Sequence, residues 1–528
     1  MSRFDRHVVL WGPPGSGKST VGPVLAARLG WTFVDSDRLV EARADKAVSA
    51  IFDAEGEDGF RARERLALRQ ALDATPPTVI AVGGGALVDP RARDEALDRA
   101  LVVRLTASAE ILEERVRLAG DARPLLSAPG ALEALLRRRA HAYRCGHLAV
   151  RATAAPEMVA ERIAERVTAG FVPLVVGPHA YAAWLAPGAA GRVLAESLDG
   201  LAPSTTHVVV DEAVHAAFGE DLVDALPVPP RSLHVVGPGE AAKRFGELER
   251  ILAELVDAGI DRDGVVIGLG GGATTDLAGL AAALVARGVR WVAVPTTLLA
   301  MVDAALGGKT AVNLRDVKNP VGVFHHPSAV IVDPSLTRTE PDRGVRSAFS
   351  EIVKSALIGD PALFDRLERD PASLVERRDG AILDAVLASC RVKARVVAAD
   401  PDEQGDRMLL NLGHTVGHAL ESASRGALTH GEAVGMGLEA ALHIGAQLGV
   451  TPAPLAARVV RLLRSLGLPP LGELSQDVIG RVHADKKRRG SRVQLVVLHD
   501  VGAAAIESVE LAWLQSAMRK LGPDASLP

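Results

Sequence analysis

A glycine-rich segment near the amino terminus constrains the fold of this chain more than any other feature. The apolar run at residues 7–11 has the length of a buried parallel strand, and the segment GPPGSGKST, residues 12–20, follows it directly. That segment fits the pattern G-x-x-x-x-G-K-[ST], in which glycines let backbone N–H groups turn towards an anion. Residues 21–29 then have the pattern of a helix. The order of strand, loop and helix predicts a phosphate-binding loop on a parallel α/β sheet.

Two side chains complete the nucleotide site that this loop predicts. Lys18 can reach the terminal phosphates of a nucleotide, and the hydroxyl of Ser19 can ligate Mg²⁺. ATP with Mg²⁺ is therefore the expected cofactor. The residues expected to bind it are Gly12, Gly15, Ser16, Gly17, Lys18, Ser19 and Thr20.

Two carboxylates follow the loop. Residues 31–37, WTFVDSD, have the pattern of a second strand that ends in Asp35 and Asp37. Carboxylates at the carboxyl edge of a strand, beside a phosphate loop, suit magnesium-bound water and a substrate hydroxyl. Both functions are expected at this edge.

Glycines and arginines further along suit an anionic substrate. A glycine triplet at residues 83–85 follows the strand-like residues 78–82 and admits a ligand against the backbone. Arginine binds carboxylate and phosphate groups well. We therefore expect Arg61, Arg123 and Arg139 to line a pocket for a carboxylate and for the phosphate being transferred.

Taken together, these features resemble shikimate kinase, a family of the nucleoside-monophosphate-kinase-like group, over almost all of residues 5–165. The resemblance implies ATP-dependent phosphorylation of shikimate, with Asp37 near the accepting hydroxyl and Lys18 at the transferred phosphate. It implies that Arg123 lies on a mobile lid that closes on the phosphates, and Arg117 is similar to the adenine-side arginine of that lid. The residues implied to hold shikimate are Asp37, Arg61, Gly83, Gly84, Gly85 and Arg139.

Three histidines in the carboxy-terminal half indicate a metal site. His414 and His418 are four residues apart in an apolar, helix-compatible run, so both face one side of a helix. His430 follows after a short loop. Neutral imidazole is a common zinc ligand, and two histidines with one distant carboxylate leave a coordination position open for catalysis. Glu351 is the predicted carboxylate, and Zn²⁺ or Co²⁺ the predicted ion, although such a set also accepts iron.

The stretch between these features has the pattern of a nucleotide-binding layer. Between residues 171 and 332, short apolar runs alternate with helical stretches, which indicates a mostly parallel α/β arrangement. One run ends in the glycine-rich residues 268–272, which open a helix and suit a pyrophosphate. Polar side chains follow other strand ends, the usual ligand-binding edge of such a sheet. Those placed to contact a polyhydroxylated, anionic substrate are Asp303, Lys309, Lys318 and Asn319.

The length of 528 residues suggests several domains. Residues 158–167 have the amphipathic pattern of a terminal helix, and a new apolar run begins at residue 171. We place a boundary near residue 170. The expected domains are residues 1–170, 171–335 and 336–528.

Composition and charge exclude several classes of function. A formal net charge of −5 provides no basic field for nucleic acid. Cys145 and Cys390 are far apart, so a disulfide framework is not expected and a reducing cytoplasm fits. The first residues lack the pattern of a signal peptide, and we find no uninterrupted apolar run of about 18 residues to span a membrane.

A second resemblance rests on eight segments in unbroken order over roughly residues 171–500. They are GGGATTDLAG, PTTLLAMVD, GGKTAVN, KNPVGVFHHP, SEIVKSALI, NLGHTVGHALE, HGEAVGMG and DKK. As a set they closely resemble 3-dehydroquinate synthase.

This second resemblance implies the roles of many residues. Implied metal ligands are Glu351, His414 and His430. Implied NAD contacts are Glu240, Lys243, Gly270, Gly271, Gly272, Asp276, Thr296 and Thr297. Implied substrate contacts are Asp303, Lys309, Asn319, Lys354, Lys393, Arg407, Asn411, His418 and Lys486, and the catalytic residues among them are Asp303, Lys354, Lys393, Arg407 and His418. Arg287 is similar to the residue that a dimer partner contributes, so a homodimer is expected.

The resemblance also implies a reaction. Its substrate is 3-deoxy-D-arabino-heptulosonate 7-phosphate, which loses a hydride to NAD, eliminates phosphate, regains the hydride, opens its ring and closes a carbocycle by an aldol step. NAD is thus regenerated in each turnover. His418 is free to relay a proton if it binds no metal.

The expected fold class is α/β: a P-loop kinase domain with a parallel sheet and helices on both faces, fused to a synthase. The synthase has an α/β nucleotide-binding domain and an all-α metal-binding domain. Alternatives left open are a gluconate-type sugar kinase or a regulatory ATP-binding module, fused to a glycerol-dehydrogenase-like or 2-deoxy-scyllo-inosose-synthase-like enzyme. The sequence does not choose between Lys486 and Lys487 as the substrate contact.

Overall fold

The structure, a computed structural model, divides into two compact units. The amino-terminal unit comprises Met1–Thr205 and Asp221–Pro230, and the carboxy-terminal unit comprises Thr206–Glu220 and Arg231–Pro528. The domain bounds expected from the sequence stay predictions. The residues that the structure describes are 6–75, 77–119, 130–176, 179–315, 317–401, 403, 405–482, 488–489 and 491–522.

A parallel sheet organises the amino-terminal unit. Its strands are β1 His7–Trp11, β2 Thr32–Asp35, β3 Thr78–Ala81, β4 Ala100–Thr106 and β5 Leu148–Arg151. They pair in the order β2-β3-β1-β4-β5, so the strand that precedes the glycine loop is central. Val8, Val9 and Leu10 are fully buried. Burial on both faces explains why this strand is a continuous apolar run in the sequence.

Helices connect these strands, and the first begins at Lys18, directly after the glycine loop. Asp35 caps the second by accepting a hydrogen bond from the backbone N–H of Asp37. The strand expected over residues 31–37 therefore ends at Asp35, and Asp37 lies in the first turn of a helix. The helices are α1 Lys18–Leu29, α2 Ser36–Ala44, α3 Val48–Leu72, α4 Pro90–Arg99, α5 Ala109–Ala119, α6 Ala131–Arg138, α7 Ala140–Tyr143, α8 Pro156–Ala169 and α9 Ala190–Leu201.

The segment after residue 170 folds onto the rest of the amino-terminal unit. Strands β6 (Phe171–Val176) and β7 (His179–Leu185) form an antiparallel pair, and sequence reasoning did not identify the second of them. Helix α9 lies beside β5 and α8, where the buried guanidinium of Arg166 pairs with Glu196 at 2.6 Å. The side chain of Arg166 also donates to the carbonyl of Val193. Polar and apolar contacts thus join this segment to the sheet of β1–β5.

A parallel layer begins the carboxy-terminal unit. Its strands are β8 Thr206–Asp211, β9 Ser232–Val236, β10 Val265–Gly270, β11 Arg290–Pro295, β12 Lys309–Leu314, β13 Val317–Phe324 and β14 Ala329–Val332. Strands β14, β11, β10, β8 and β9 pair in that order and are all parallel. Strands β12 and β13 form a separate antiparallel ribbon.

Helices dominate the remainder of this unit. In the described residues, no helix is both long and apolar enough to cross a lipid bilayer. The helices are α10 Glu212–Val223, α11 Phe245–Asp257, α12 Gly272–Leu284, α13 Asp342–Gly359, α14 Pro361–Arg369, α15 Pro371–Val375, α16 Asp379–Ala399, α17 His414–Ser424, α18 His430–Gln447, α19 Ala453–Ser465, α20 Gln476–Arg481 and α21 Leu511–Met518.

The expectation that residues 336–528 are all-α needs correction. Strands β15 (Arg488–Arg489), β16 (Arg492–Asp500) and β17 (Ala503–Glu510) form an antiparallel sheet there. Buried residues of β16 such as Val493 and Val497 belong to the same apolar cluster as α17 and α18. The sheet therefore covers a helix face that would otherwise meet water.

The contact between α9 and β5 provides a test of this packing. A Cβ at Gly200 would overlap the backbone carbonyl of Ala149, so Gly200→Ala is expected to lower the free energy of unfolding by about 1–3 kcal/mol. Hydrogen–deuterium exchange of peptides from β5 and α9 should accelerate. Gly246→Ala on α11 is the matched control, because a Cβ there meets no atom within 4 Å. Equal exchange in both variants would show that α9 does not pack on β5 in this way.

Candidate active sites

The glycine loop of the amino-terminal unit wraps around the side chain of Lys18. Its ammonium group donates to the carbonyl oxygens of Gly12 at 2.9 Å and Pro13 at 3.0 Å, and it lies 3.3 Å from the hydroxyl of Ser16. Gly15 and Gly17 have φ values of 81° and 89°, a conformation that favours glycine. The loop thus places a cation and backbone N–H groups at the amino end of α1, which is a favourable place for phosphate.

Hydroxyl and carboxylate oxygens lie together beside this loop. Ser19 donates to a carboxylate oxygen of Asp35 at 2.7 Å, and the other oxygen of Asp35 caps α2. Oxygen donors of this kind suit Mg²⁺ and its water ligands. The structure therefore brings the predicted Ser19 to a carboxylate at the end of β2.

A pocket of charged residues adjoins the glycine triplet at residues 83–85. Arg61 pairs with Glu64 at 2.6 Å and with Glu57 at 3.1 Å. Arg139 lies 3.6 Å from the same Glu57 carboxylate and donates to the carbonyl of Gly84 at 3.1 Å. The two arginines predicted to bind substrate are therefore neighbours, joined by a glutamate that sequence reasoning did not select.

The glycines of this triplet lie against the same side chains. A Cβ at Gly85 would overlap the guanidinium of Arg61, and a Cβ at Gly83 would lie 2.9 Å from a carboxylate oxygen of Asp37. Burial raises the pKa of Glu64 to about 7, against the lowering effect of Arg61. The pocket thus combines a carboxyl group that titrates near neutral pH with Asp37 and two arginines.

The predicted lid arginines are only partly described. Arg117 is exposed on α5. Arg115, two residues earlier, donates to the carbonyl of Gly15 at 3.4 Å and is the α5 arginine that contacts the phosphate loop. Arg123 lies outside the described residues.

Three helices of the carboxy-terminal unit bring Glu351, His414 and His430 together. The Nε2 atoms of His414 and His430 lie 3.5 and 3.4 Å from the same carboxylate oxygen of Glu351. One potential ligand atom from each residue lies within 4.8 Å of the others. Glu351 is only 1% exposed, and neither of its oxygens accepts a hydrogen bond of ordinary geometry from the described residues. This cluster has the composition and spacing of a divalent cation site.

Close helix packing explains how these distant residues meet. His430 begins α18, where Thr429 and Glu432 form a capping box. A Cβ at Gly431 would overlap the backbone carbonyl of Ser347, so glycine lets the start of α18 lie directly on α13. The backbone N–H of Gly431 also donates to the hydroxyl of Ser347 at 3.0 Å. These contacts hold His430 beside Glu351, one turn further along α13.

Two carboxylates favour positive charge on His430 in this cluster. Burial lowers the pKa of His430, but the carboxylates of Glu351 and Glu421 outweigh it and raise the pKa to about 9. The ammonium of Lys354 lies against Glu351. The ring of His418 is 5.0 Å from that of His414, yet His418 is exposed and lies outside the three-residue cluster. His418 can therefore reach solvent while it stays beside the metal ligands.

A second cluster lies at the carboxyl end of β10, where α12 begins. Lys243 is 4% exposed, pairs with Asp276 and donates to the side chain of Asn319 at 2.5 Å. Glu240 accepts a hydrogen bond from Asn313 at 2.7 Å. Burial raises the pKa of Asp276 to about 6, against the lowering effect of Lys243. Residues predicted to contact NAD are thus joined to residues predicted to contact substrate.

The glycines predicted for this cluster also have a steric function. A Cβ at Gly271 would lie 3.1 Å from the side chain of Thr297, and a Cβ at Gly272 would lie 3.0 Å from that of Ala304. Thr296 is buried. The turn into α12 is therefore closely packed, with its backbone N–H groups at a helix start, where a pyrophosphate binds favourably.

Cationic side chains gather around Asp303. Lys393 donates to both the side chain and the backbone carbonyl of Asp303 at 2.6 Å. Burial alone raises the pKa of Asp303, but the ammonium groups of Lys393 and Lys354 outweigh it and hold the pKa below its usual range. Arg407 is 1% exposed and donates to the carbonyl of Gly307 at 2.8 Å. Lys354 links this group electrostatically to the metal cluster.

A second set of polar residues adjoins Arg407. Lys309 pairs with Glu403 at 2.5 Å, and Asn411 donates to the same glutamate at 3.4 Å. Lys318 pairs with Glu421 at 2.5 Å.

Arg287 is exposed on a short 3₁₀ segment, and Lys486 lies outside the described residues.

Family models match segments of both units. Residues 14–168 match the family model for shikimate kinase. Residues 233–347 match the model for the 3-dehydroquinate synthase N-terminal domain, and residues 348–488 match that for its C-terminal domain.

Similar proteins cover most of the carboxy-terminal part. A 3-dehydroquinate synthase of Xanthomonas campestris pv. campestris is 40% identical, over 63% of this chain and 93% of its own length. One from Rhodospirillum rubrum is 38% identical, over 66% of this chain and 94% of its own length. Among solved structures, a 2-epi-5-epi-valiolone synthase of Streptomyces hygroscopicus with NAD⁺ and Zn²⁺ bound is 30% identical, covers 63% of this chain and 94% of that chain, and has a TM-score of 0.57.

These matches confirm the fold class and the two enzyme classes expected from the sequence, a kinase and a phosphate-eliminating lyase. The family models name shikimate kinase and 3-dehydroquinate synthase, which favours these two families over the sugar-kinase, regulatory-module, dehydrogenase and inosose-synthase alternatives. The chain belongs to the 3-dehydroquinate synthase family and carries, in residues 14–168, a shikimate kinase domain.

Proposed function

We propose that the chain catalyses two reactions of the shikimate pathway. One is the ATP-dependent phosphorylation of shikimate to shikimate 3-phosphate. The other is the NAD- and metal-dependent conversion of 3-deoxy-D-arabino-heptulosonate 7-phosphate to 3-dehydroquinate and phosphate. The meeting of Glu351, His414 and His430 is the observation that supports the second reaction most strongly.

The phosphate loop and the arginine pocket support the kinase reaction. Lys18 and the loop N–H groups are placed for the phosphates of ATP, and the hydroxyl of Ser19 is placed for Mg²⁺. Arg61 and Arg139 supply positive charge for the carboxylate of shikimate. Asp37 lies against the glycine triplet, where it would orient the accepting hydroxyl. Phosphoryl transfer needs mainly positioning and charge neutralisation, and these residues supply both.

The metal cluster supports the synthase reaction. Glu351, His414 and His430 would hold the ion, and three protein ligands leave room for a substrate oxygen. The two oxygens of Glu351 without ordinary hydrogen bonds fit this assignment. A bound Zn²⁺ or Co²⁺ would act as a Lewis acid that lowers the pKa of a substrate hydroxyl. The donor set accepts either metal.

The polar residues around this cluster suit the proposed sugar phosphate. Lys393 and Arg407 provide positive charge for its phosphate and carboxylate groups. Asp303 is held in place by Lys393 and would orient a hydroxyl. His418, exposed beside the ligands, would move a proton between substrate and water. NAD, bound at the turn into α12, would supply a hydride acceptor that is regenerated within each turnover.

Assays of the purified chain with both substrates test this proposal. Lys18→Ala should abolish shikimate-dependent formation of ADP, because the cation at the phosphates is lost. It should leave phosphate release from the heptulosonate unchanged. Loss of both activities in a well-folded variant would contradict the independence of the two sites. Phosphate release accompanied by net NADH formation would contradict the synthase assignment.

Glu351→Gln tests the metal ligands. Removing this carboxylate should lower bound metal, measured by mass spectrometry of the dialysed protein, and reduce the synthase rate about a hundredfold, which corresponds to about 3 kcal/mol. The kinase rate should stay unchanged. Glu376→Gln, an exposed substitution in the same unit, is the control. Unchanged metal content in Glu351→Gln would remove Glu351 from the ligand set.

We also propose that the chain acts as a homodimer in which Arg287 enters the active site of the partner. Arg287 is exposed, and it follows Ala286 in a left-handed conformation, with φ values of 65° and 48°. Two consecutive non-glycine residues in this region cost about 1–3 kcal/mol each. Such strain is typical of positions kept for function, which supports a role for this exposed arginine.

Mixing two inactive variants distinguishes action on the partner from action within one chain. Arg287→Ala and Glu351→Gln are each expected to retain at most about 1% of the synthase rate, in line with the hundredfold loss expected for Glu351→Gln. If Arg287 acts across a dimer, co-expression should restore about a quarter of the wild-type rate, because half of the dimers then contain one complete site. No restoration in co-purified mixed dimers would show that Arg287 acts within its own chain.

We propose a cytoplasmic location, which the expected use of ATP and NAD supports. Cys145 and Cys390 are both buried, and neither forms a disulfide in the described residues. Cell fractionation tests this location, and recovery outside the cytoplasm would contradict it.

A further inference from the structure

The imidazole of His430 lies between two carboxylates, one at each ring nitrogen. Nε2 faces Glu351 at 3.4 Å, and Nδ1 lies 3.1 Å from a carboxylate oxygen of Glu421. The side chain of Glu421 is 10% exposed and projects from α17, the helix that begins with His414. Glu421 therefore contacts a proposed metal ligand on the side turned away from the metal.

The other proposed histidine ligand has a similar arrangement with a neutral partner. Nδ1 of His414 lies 3.2 Å from the backbone carbonyl of Leu412, while its Nε2 faces Glu351. Metal-binding imidazoles generally donate their second ring N–H to a carbonyl or a carboxylate, which sets the tautomer and the ring orientation. The two rings thus follow one rule, and the Nδ1 partner of His430 is a side chain that a substitution can replace.

Glu421 has a second partner, which supplies a competing explanation. Its other oxygen pairs with the half-exposed ammonium of Lys318 at 2.5 Å. An ion pair between α17 and β13 could by itself account for a glutamate at this place. Each carboxylate oxygen of Glu421 has its own partner, so a substitution can remove one contact and leave the other.

We propose that Glu421 is a positioning residue of the metal site. By accepting the Nδ1–H of His430, it leaves Nε2 as the ring nitrogen directed at the ion, and its negative charge makes the imidazole a stronger donor to a bound metal. Glu421 contacts His430, not the ion or the substrate. The inference rests on the proposed metal site and goes beyond it by assigning a role to a residue outside the three ligands.

Metal affinity of the full chain is the test. Zn²⁺ affinity is measured by competition with a chromophoric chelator, and the absorption spectrum of the Co²⁺-loaded protein reports the geometry of the ligands. Glu421→Ala should weaken Zn²⁺ binding about 10- to 100-fold and shift the Co²⁺ bands. Lys318→Met removes the competing ion pair and leaves the contact between Glu421 and His430 in place, so Zn²⁺ affinity, measured without substrate, should stay within about twofold of wild type.

A conservative variant keeps the test decisive if Glu421→Ala folds poorly. Glu421→Gln has the same shape and retains an oxygen acceptor, but it lacks the charge. It should weaken Zn²⁺ binding about fivefold, since hydrogen bonds to ionised acceptors are roughly twice as strong as neutral ones. Circular dichroism and thermal unfolding of the same preparations report whether the carboxy-terminal unit, which contains Glu421, is folded.

Three results would overturn the inference. Unchanged Zn²⁺ affinity in Glu421→Ala or in Glu421→Gln would show that the carboxylate does not support His430. Equal weakening by Lys318→Met and Glu421→Ala would assign the effect to the ion pair. Glu351→Gln is measured alongside as a control for the metal site itself. If Glu351→Gln loses metal and the Glu421 variants do not, the proposed metal site stands and Glu421 has no role in it.

Discussion

A buried negative charge on α13 determines the construction of the synthase site. The carboxylate of Glu351 is almost completely removed from water, which is unfavourable unless cations or strong donors surround it. Lys354 on the same helix and the imidazoles of His414 and His430 are the groups that approach it. Glycines at the helix contacts let these groups come close enough. The packing of α13, α17 and α18 therefore places an ammonium group and two imidazoles around one buried carboxylate.

In the amino-terminal unit the charges that need compensation are positive. Its loop and pocket concentrate positive charge from Lys18, Arg61 and Arg139, which would repel one another without anions nearby. Glu57 and Glu64 compensate two of these cations among the described residues. Loop carbonyls accept hydrogen bonds from Lys18. In both units, the charged side chains of the proposed site are therefore held by oppositely charged or hydrogen-bonding partners.

Sequence patterns predicted local features well and long-range partners poorly. The glycine loop and the helix that carries His414 and His418 follow from spacing along the chain, because each depends on neighbours within one or two turns. The choice of Glu351 rests on the resemblance to 3-dehydroquinate synthase. The contacts of Arg139 with Glu57 and of His430 with Glu421 depend on how separate segments pack or how a loop closes. The sequence pattern around Glu57 or Glu421 therefore did not predict either contact. Strand β7 was not predicted, and the strand-like pattern of residues 493–498 was not extended to a sheet. Both strands pair with a neighbour in the chain, but the alanines of β7 and β17 have a low strand propensity. The roles assigned to individual residues stay predictions.

X-ray absorption at the zinc edge of the full chain, reconstituted with one equivalent of Zn²⁺ and with NAD, tests whether Glu351, His414 and His430 bind one ion. We expect scattering from two imidazole rings at about 2.0–2.1 Å and from oxygen ligands, with no sulfur shell at about 2.3 Å. A spectrum with no imidazole, with one imidazole, or with a thiolate ligand would contradict the meeting of Glu351, His414 and His430 on one ion.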